Sequence, residues 1–174
     1  TETLGPDISE FAVLAHAWAS GLSIHDVPVM RRIMGEPTGV AYAAARPLGD
    51  GRLGYDAVIE FDRHRRALLI VELLDHMETD WGFAARADGF SVRVAYPSTY
   101  ATNAPSTCAV TREASGMTVE ERWSGRYESG FRREWIHLHD VVTRGAVPET
   151  PIADALGDLL LIEEITRRFI EAGA

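Results

Sequence analysis

"GDGRLGYDAVIEFD", Gly49 to Asp62, decides how this chain is to be read. Its first six residues have the spacing G-x-G-x-x-G, the fingerprint of a loop that cradles a dinucleotide pyrophosphate. That loop works only between a buried strand and a helix, because the helix N-terminus faces the phosphates; an acidic residue about twenty positions on then reaches the ribose. The upstream stretch "TGVAYAAARPL" suits a strand. Downstream, however, Tyr55, Ala57, Ile59 and Phe61 share one face of an extended chain, and Asp56, Val58 and Glu60 share the other. That is a strand period. Asp50-Gly51 is a favoured tight-turn pair between two strands. The stretch therefore reads as a β-hairpin. No other glycine cluster replaces it, so a Rossmann nucleotide site is not expected in this chain.

Working outward, 174 residues suit a single domain, 1–174, with a sizeable core. No apolar run is long enough to span a bilayer. The N-terminus has no basic flank followed by an apolar core, so no signal peptide is visible. Cys108 is the only cysteine, which excludes an internal disulfide and any multi-cysteine metal site. A reducing, cytoplasmic compartment is expected. The net charge of −9 argues against general nucleic-acid binding, which needs a basic patch. The densest basic stretch, "DRHRR" (Asp62 to Arg66), sits between two strand-like segments and reads as a solvated turn.

The rest of the chain supplies helices at both ends. Ile8, Phe11, Ala15 and Trp18 predict a helix from Asp7 to Ala19, broken by Gly21. Val27, Met30, Ile33 and Met34 predict a second, with Pro28 in its first turn and Gly35 at its end. Strand texture follows for about ninety residues by the same periodicity test. "ALLIVELLD" is largely apolar on both faces, the pattern of a strand covered on both sides. Short turns, Ala-Asp-Gly and Glu-Ala-Ser-Gly among them, make the sheet largely antiparallel. Phe131, Trp135, Leu138 and Val142 form one late helical stripe. A last helix runs through Ala155, Leu159, Ile162, Ile165 and Phe169, with Thr150 as cap and Pro151 in first position. The expected fold is α+β: a largely antiparallel open sheet of about seven strands with helices on one face.

His25 and Asp26, in "SIHDVPVMRRIMGEP", are the leading chemical candidates. Histidine titrates near neutrality, so His25 suits general acid or base work, with a hydrogen-bonded structural role as the alternative. Asp26 suits a helix N-cap and, secondarily, a substrate contact. "HLHD" (His137 to Asp140) lacks the i, i+4 histidine spacing of a helical metal site, so no metal is expected. His139 flanks the apolar stripe and His137 lies on the polar side. His16 and His76 carry no motif. "AYPSTYATNAP" has no G-x-S-x-G elbow. Cys108 reads as a small core residue.

The segment "GLSIHDVPVMRRIMGEPTGVAYAA" resembles the start of the C-terminal domain of the glucose-fructose oxidoreductase/inositol dehydrogenase/MocA family. That pattern is roughly G-G-x-x-x-D-x-G-x-H-x-x-D-x-x-R, then a helix ending at G-x-P and a strand. His25, Arg31, Gly35 and Pro37 fall in register with it. "FRREWIHLHDVVTRGAVPETPIADALGDLLLIEEI" is similar to the family's aromatic-rich helix, its G-x-x-P-x-T/S connector and the helix after it. The resemblance implies an NAD(P)-dependent oxidoreductase acting on a sugar, polyol or related hydroxy compound, and a preceding Rossmann domain absent from this chain. It implies that NAD or NADP is bound there and that this chain alone binds no cofactor and is inactive. It places His25 where the family's histidine assists removal of the substrate hydroxyl proton. The two family aspartates map to Gly21 and Pro28, and the chain has no lysine. A homodimer or higher oligomer through the helix-free sheet face is expected, with a small-molecule substrate and neither nucleic acid nor membrane as partner. A stand-alone, non-catalytic binding or scaffold module is the rival reading.

Overall fold

Asp50 and Gly51 both adopt positive φ, 51° and 72°, and fold "GDGR" back as a tight hairpin. The strands on either side are β1 (Pro37–Gly49) and β2 (Arg52–Phe61), so the glycine-spaced segment opens a strand, as its periodicity requires. The computed structural model describes residues 9–72, 80–98, 104–126 and 129–173. Ahead of β1 come α1 (Glu10–Leu22), a 3-10 turn (Ser23–His25) and α2 (Val27–Met34). After β2 come β3 (Arg65–Glu72), β4 (Trp81–Ala87), β5 (Phe90–Tyr96), β6 (Thr107–Ala114), β7 (Met117–Ser124), α3 (Gly130–Arg144) and α4 (Ile152–Glu171). Every ladder is antiparallel. The fold is α+β with open sheets, and the seven strands among the described residues are shared between a β1-β2-β3 sheet and a β4-β5-β6-β7 sheet. The described residues divide into two compact units, one within 1–75 and 149–174, the other within 76–148. Among them, no helix is long and apolar enough to cross a membrane.

In the first unit α1, α2 and α4 supply the core with β1–β3. Tyr55, Ala57, Ile59 and Phe61 point to the helices and are buried, as the alternation dictates. Val40 and Ala43 are both buried although three residues apart, because a bulge between Val40 and Tyr42 resets which face of β1 points inward. From α4 come Leu161, Ile162, Ile165 and Phe169, the last with its ring 5.5 Å from that of Tyr55.

The other sheet face is open. Leu69 is buried, and Ala67 and Val71 pack against the core, but Leu68 and Ile70 are 62% and 60% exposed. Within one copy, β3 is thus covered on one side only. Leu73 and Leu74 lie outside the described residues. Register sets Tyr42, Val58 and Leu68 in one row across the three strands. Arg46 bridges Asp56 and Glu72 beyond one end of that band, and Arg66 pairs with Glu60 at 2.7 Å beyond the other.

The second unit also has a two-faced sheet. Trp81, Phe83, Val94, Tyr96, Cys108 and Trp123 share one face, and Trp81 and Tyr96 bring their rings to 5.0 Å. None of this unit's described residues is fully buried, and Cys108 is half-buried rather than core. The stripe on α3 forms as periodicity predicts, with Ser129 as N-cap and Gly145 left-handed at the C-terminus, yet Trp135 and Val142 stand exposed. So α3 is not one of the helices that cover a sheet face with its stripe.

Three helix ends differ from expectation. Ser9 caps α1 by accepting from the Ala12 amide at 3.0 Å, and the helix continues through Gly21 to Leu22. Asp7 and Ile8 lie outside the described residues. A single exposed glycine costs a helix only about 1 kcal/mol, which the buried Ala12, Ala15 and Ala19 offset. At α4, Pro151 rather than Thr150 takes the N-cap position, and no side chain caps the helix; the Pro151 carbonyl accepts from Asp154 and Ala155.

Candidate functional site

His25 closes the 3-10 turn that links α1 to α2, and it is exposed rather than enclosed by the core. The turn is anchored by its first residue. Ser23 and Tyr55 are both fully buried, and their hydroxyls meet at 2.7 Å. Asp26 follows, half-buried, in the N-cap position of α2. Its carboxylate makes no capping bond, contrary to the cap reading. The cause is local: Asp26 keeps helical φ and ψ of −103° and −38° because the 3-10 turn runs straight into α2, whereas a capping side chain needs extended backbone.

Burial pushes the Tyr55 phenol up to about 12; the Ser23 hydroxyl opposes the shift and the charge of Asp26 adds to it. The folded value thus lies above the unfolded one. The corresponding stability is fully present below about pH 10, and is lost as pH rises through about 12. The Tyr55→Phe variant should lose about 1–3 kcal/mol at neutral pH, because Ser23 is left buried without its partner. Its stability should also fall less steeply than wild type between these two pH values. Urea titrations at stepped pH check both.

Arg31 is the hub of the motif. Its side chain is 9% exposed, and one guanidinium nitrogen donates to Asp158 Oδ1 at 2.6 Å and to the Asp154 carbonyl at 2.8 Å. The other terminal nitrogen donates to Glu36 at 2.8 Å. Burial alone would lower the Arg31 pKa; the hydrogen bonds to Asp158 and Glu36 outweigh it and leave the value raised. The guanidinium lies over Gly157 in α4, where a Cβ would stand 2.4 Å from one of its nitrogens. Glycine inside a helix ordinarily costs about 1 kcal/mol against alanine. Here the sign reverses: Gly157→Ala should destabilise the chain by about 1–3 kcal/mol, as overpacking does, because the guanidinium must leave Asp158 or strain. Chemical denaturation checks the sign.

The other histidines separate. Thr166 donates to the Ile162 carbonyl at 2.9 Å, so His16 Nδ1 is the donor in its 3.1 Å contact with the Thr166 hydroxyl. His139 is exposed and His137 half-buried, the reverse of the expected order. His139 Nδ1 lies 3.6 Å from Asp140, and Thr143 donates to the His139 carbonyl. His76 lies outside the described residues. Two open concavities occur among the described residues. One, of about 440 Å³, lies at the β2–β3 turn; the other, of about 420 Å³, lies at one end of the four-stranded sheet. Neither is lined by His25 or Asp26. Side-chain chemistry singled out His25 and Asp26, and the family resemblance Arg31, but neither marked Ser23, Tyr55, Gly157 or Asp158, whose roles arise from contacts distant in sequence.

No family model and no curated protein matches this chain. Solved structures do resemble it. The "putative oxidoreductase yvaA" of Bacillus subtilis superposes with a TM-score of 0.68 at 9% identity, covering 89% of this chain and 51% of that one. A "putative nadph-dependent oxidoreductase" of Desulfitobacterium hafniense gives 0.67 at 14% identity, covering 87% and 45%. The "YPO2259 putative oxidoreductase" of Yersinia pestis gives 0.64 at 15%, covering 91% and 49%. The chain therefore spans about half the length of these proteins and shares the fold of that half.

Proposed function

We propose that this chain is the substrate-binding and oligomerisation domain of an NAD(P)-dependent oxidoreductase acting on a sugar, polyol or related hydroxy compound. The fold likeness to proteins named as oxidoreductases, across about half of their length, carries the reading. The residues here do not fit the dinucleotide, since the G-x-G-x-x-G segment is a hairpin followed by β2 and opens no helix. The nicotinamide chemistry then belongs to a separate Rossmann domain. This chain's task is to hold the substrate hydroxyl and move its proton. His25 is the residue for it: exposed, next to Asp26 in the chain, on a turn fixed to the core through Ser23. The open face of β1–β3 supports the oligomer. A second copy laid on Tyr42, Val58, Leu68 and Ile70 would remove an apolar band from water in one closed, symmetric contact. The compartment proposed is the cytoplasm.

The test joins the chain to its cofactor-binding half and compares His25→Ala with wild type. Turnover should fall about 100-fold or more, as for loss of a general base, with melting nearly unchanged. The isolated chain should show no micromolar NADH or NADPH affinity by calorimetry. The rival reading, a non-catalytic module, is favoured by one observation: Gly21 and Pro28 put no carboxylate where the resembling family carries its aspartates. Unchanged turnover in His25→Ala would select it.

A further inference from the structure

The hairpins of this chain differ in one telling way. The turns after β1, β4 and β6 each place a glycine at positive φ, Gly51 at 72°, Gly89 at 68° and Gly116 at 73°, next to Asp50 at 51° in the first and Ser115 at 54° in the last. The β2–β3 turn has no glycine. Arg63 and His64 themselves hold φ of 60° and 59°, a left-handed pair that favours Asn-Gly. The Arg65 amide closes the turn on the Asp62 carbonyl, and Arg65 Nε donates to that same oxygen at 3.0 Å. Strained backbone of this kind persists where the side chains it presents are used.

Those side chains surround an open concavity of about 440 Å³, with Thr38 of β1 on its rim. Its acidic groups are Glu60 and Asp62. Glu60 is occupied by Arg66 at 2.7 Å. Arg63 and His64 have no carboxylate partner among the described residues, and Arg65 engages only a main-chain oxygen. We propose that the β2–β3 turn is a binding site for a small phosphate dianion, free or as a monoester, held by Arg63, His64 and Arg65 with the Thr38 hydroxyl. Guanidinium groups suit phosphate because they offer paired N–H donors, and charge-assisted bonds of this kind are the strong ones. The site is local: the chain carries a net charge of −9, so its overall field does not attract anions.

The experiment uses the full chain at low salt, titrated with inorganic phosphate and separately with glycerol phosphate, and followed by amide NMR. Saturable shifts confined to Thr38 and Asp62 to Arg66 are expected with at least one probe; the tighter one shows whether the free ion or the monoester is preferred. The double variant Arg63→Asn, His64→Gly should weaken binding about tenfold or more, as loss of charged hydrogen bonds does. It should also melt several degrees higher, because the turn is relieved. That combination separates a binding role from a merely structural one. Absence of saturable shifts in the wild type, undiminished binding in the variant, or a lowered melting temperature overturns the proposal.

Discussion

Replacing Arg31 by alanine should destabilise the chain by about 3–5 kcal/mol, the cost of leaving a buried charge without its partner. Asp158 is only 2% exposed and sits 2.6 Å from the guanidinium. Without the guanidinium this buried carboxylate loses the charge that pairs it. Glu36 is 75% exposed and contributes as a surface pair does, about 0–1 kcal/mol. The large effect is therefore assigned to Asp158, and a double-mutant cycle tests that assignment. Asp158→Leu combined with Arg31→Met should recover much of the loss, since two apolar groups of similar volume remove both desolvation costs. Urea unfolding of the single and double variants is the measurement. A single-variant loss below about 1 kcal/mol would place this pair with ordinary surface salt bridges.

Leu69→Asp and Ile70→Asp should differ sharply although they change neighbouring residues. Leu69 points into the helix layer and is 6% exposed, whereas Ile70 is 60% exposed on the open face. A carboxylate at the first position must be ionised in the core or forced neutral. Either costs several kcal/mol, a large fraction of the roughly 5–15 kcal/mol that holds a domain together. Leu69→Asp should therefore be largely unfolded by circular dichroism at room temperature. Ile70→Asp should keep its spectrum and lose about 0.5 kcal/mol or less as a monomer, as surface changes do. Light scattering over a dilution series then reads the proposed pairing of two copies. Ile70→Asp should shift mass toward monomer at concentrations where wild type is associated. A wild-type chain that stays monomeric at every concentration removes the pairing proposal.

What the sequence made legible follows from how local each signal is. Asp50-Gly51 identified its turn because the demand for positive φ falls on the residue itself. The alternation from Tyr55 to Phe61 identified its buried face because a strand has period two, and all four inward residues are buried. Gly35 ended α2 for the same local reason. Errors arose where a neighbour decided the outcome. Gly21 did not stop α1, because the alanines of that helix were already packed. Asp26 did not cap α2, because a 3-10 turn carries helical backbone into it. The stripe on α3 was read correctly as helical, but periodicity reports which face is apolar and not whether anything covers it. At the candidate site, His25 and Asp26 were found from a pattern. Ser23, which fixes their turn, needs a partner 32 residues away. Gly157 was invisible for a related reason: it reads as a weakened helix until the guanidinium over it is seen.

The pairing of Arg31 with Asp158 spans 127 positions. At about 5–20 residues per second, a ribosome needs roughly 6–25 s to make the second partner after the first. For the later part of that interval, once β3 has been made, Tyr55, Ile59 and Phe61 have no Leu161, Ile162, Ile165 or Phe169 to pack against. The nascent chain thus carries an uncovered apolar sheet face until α4 leaves the exit tunnel, the kind of transiently exposed surface that promotes aggregation. A release just before α4 should yield a product that is degraded or aggregates, whereas the same α4 supplied in trans as a peptide should recover soluble protein.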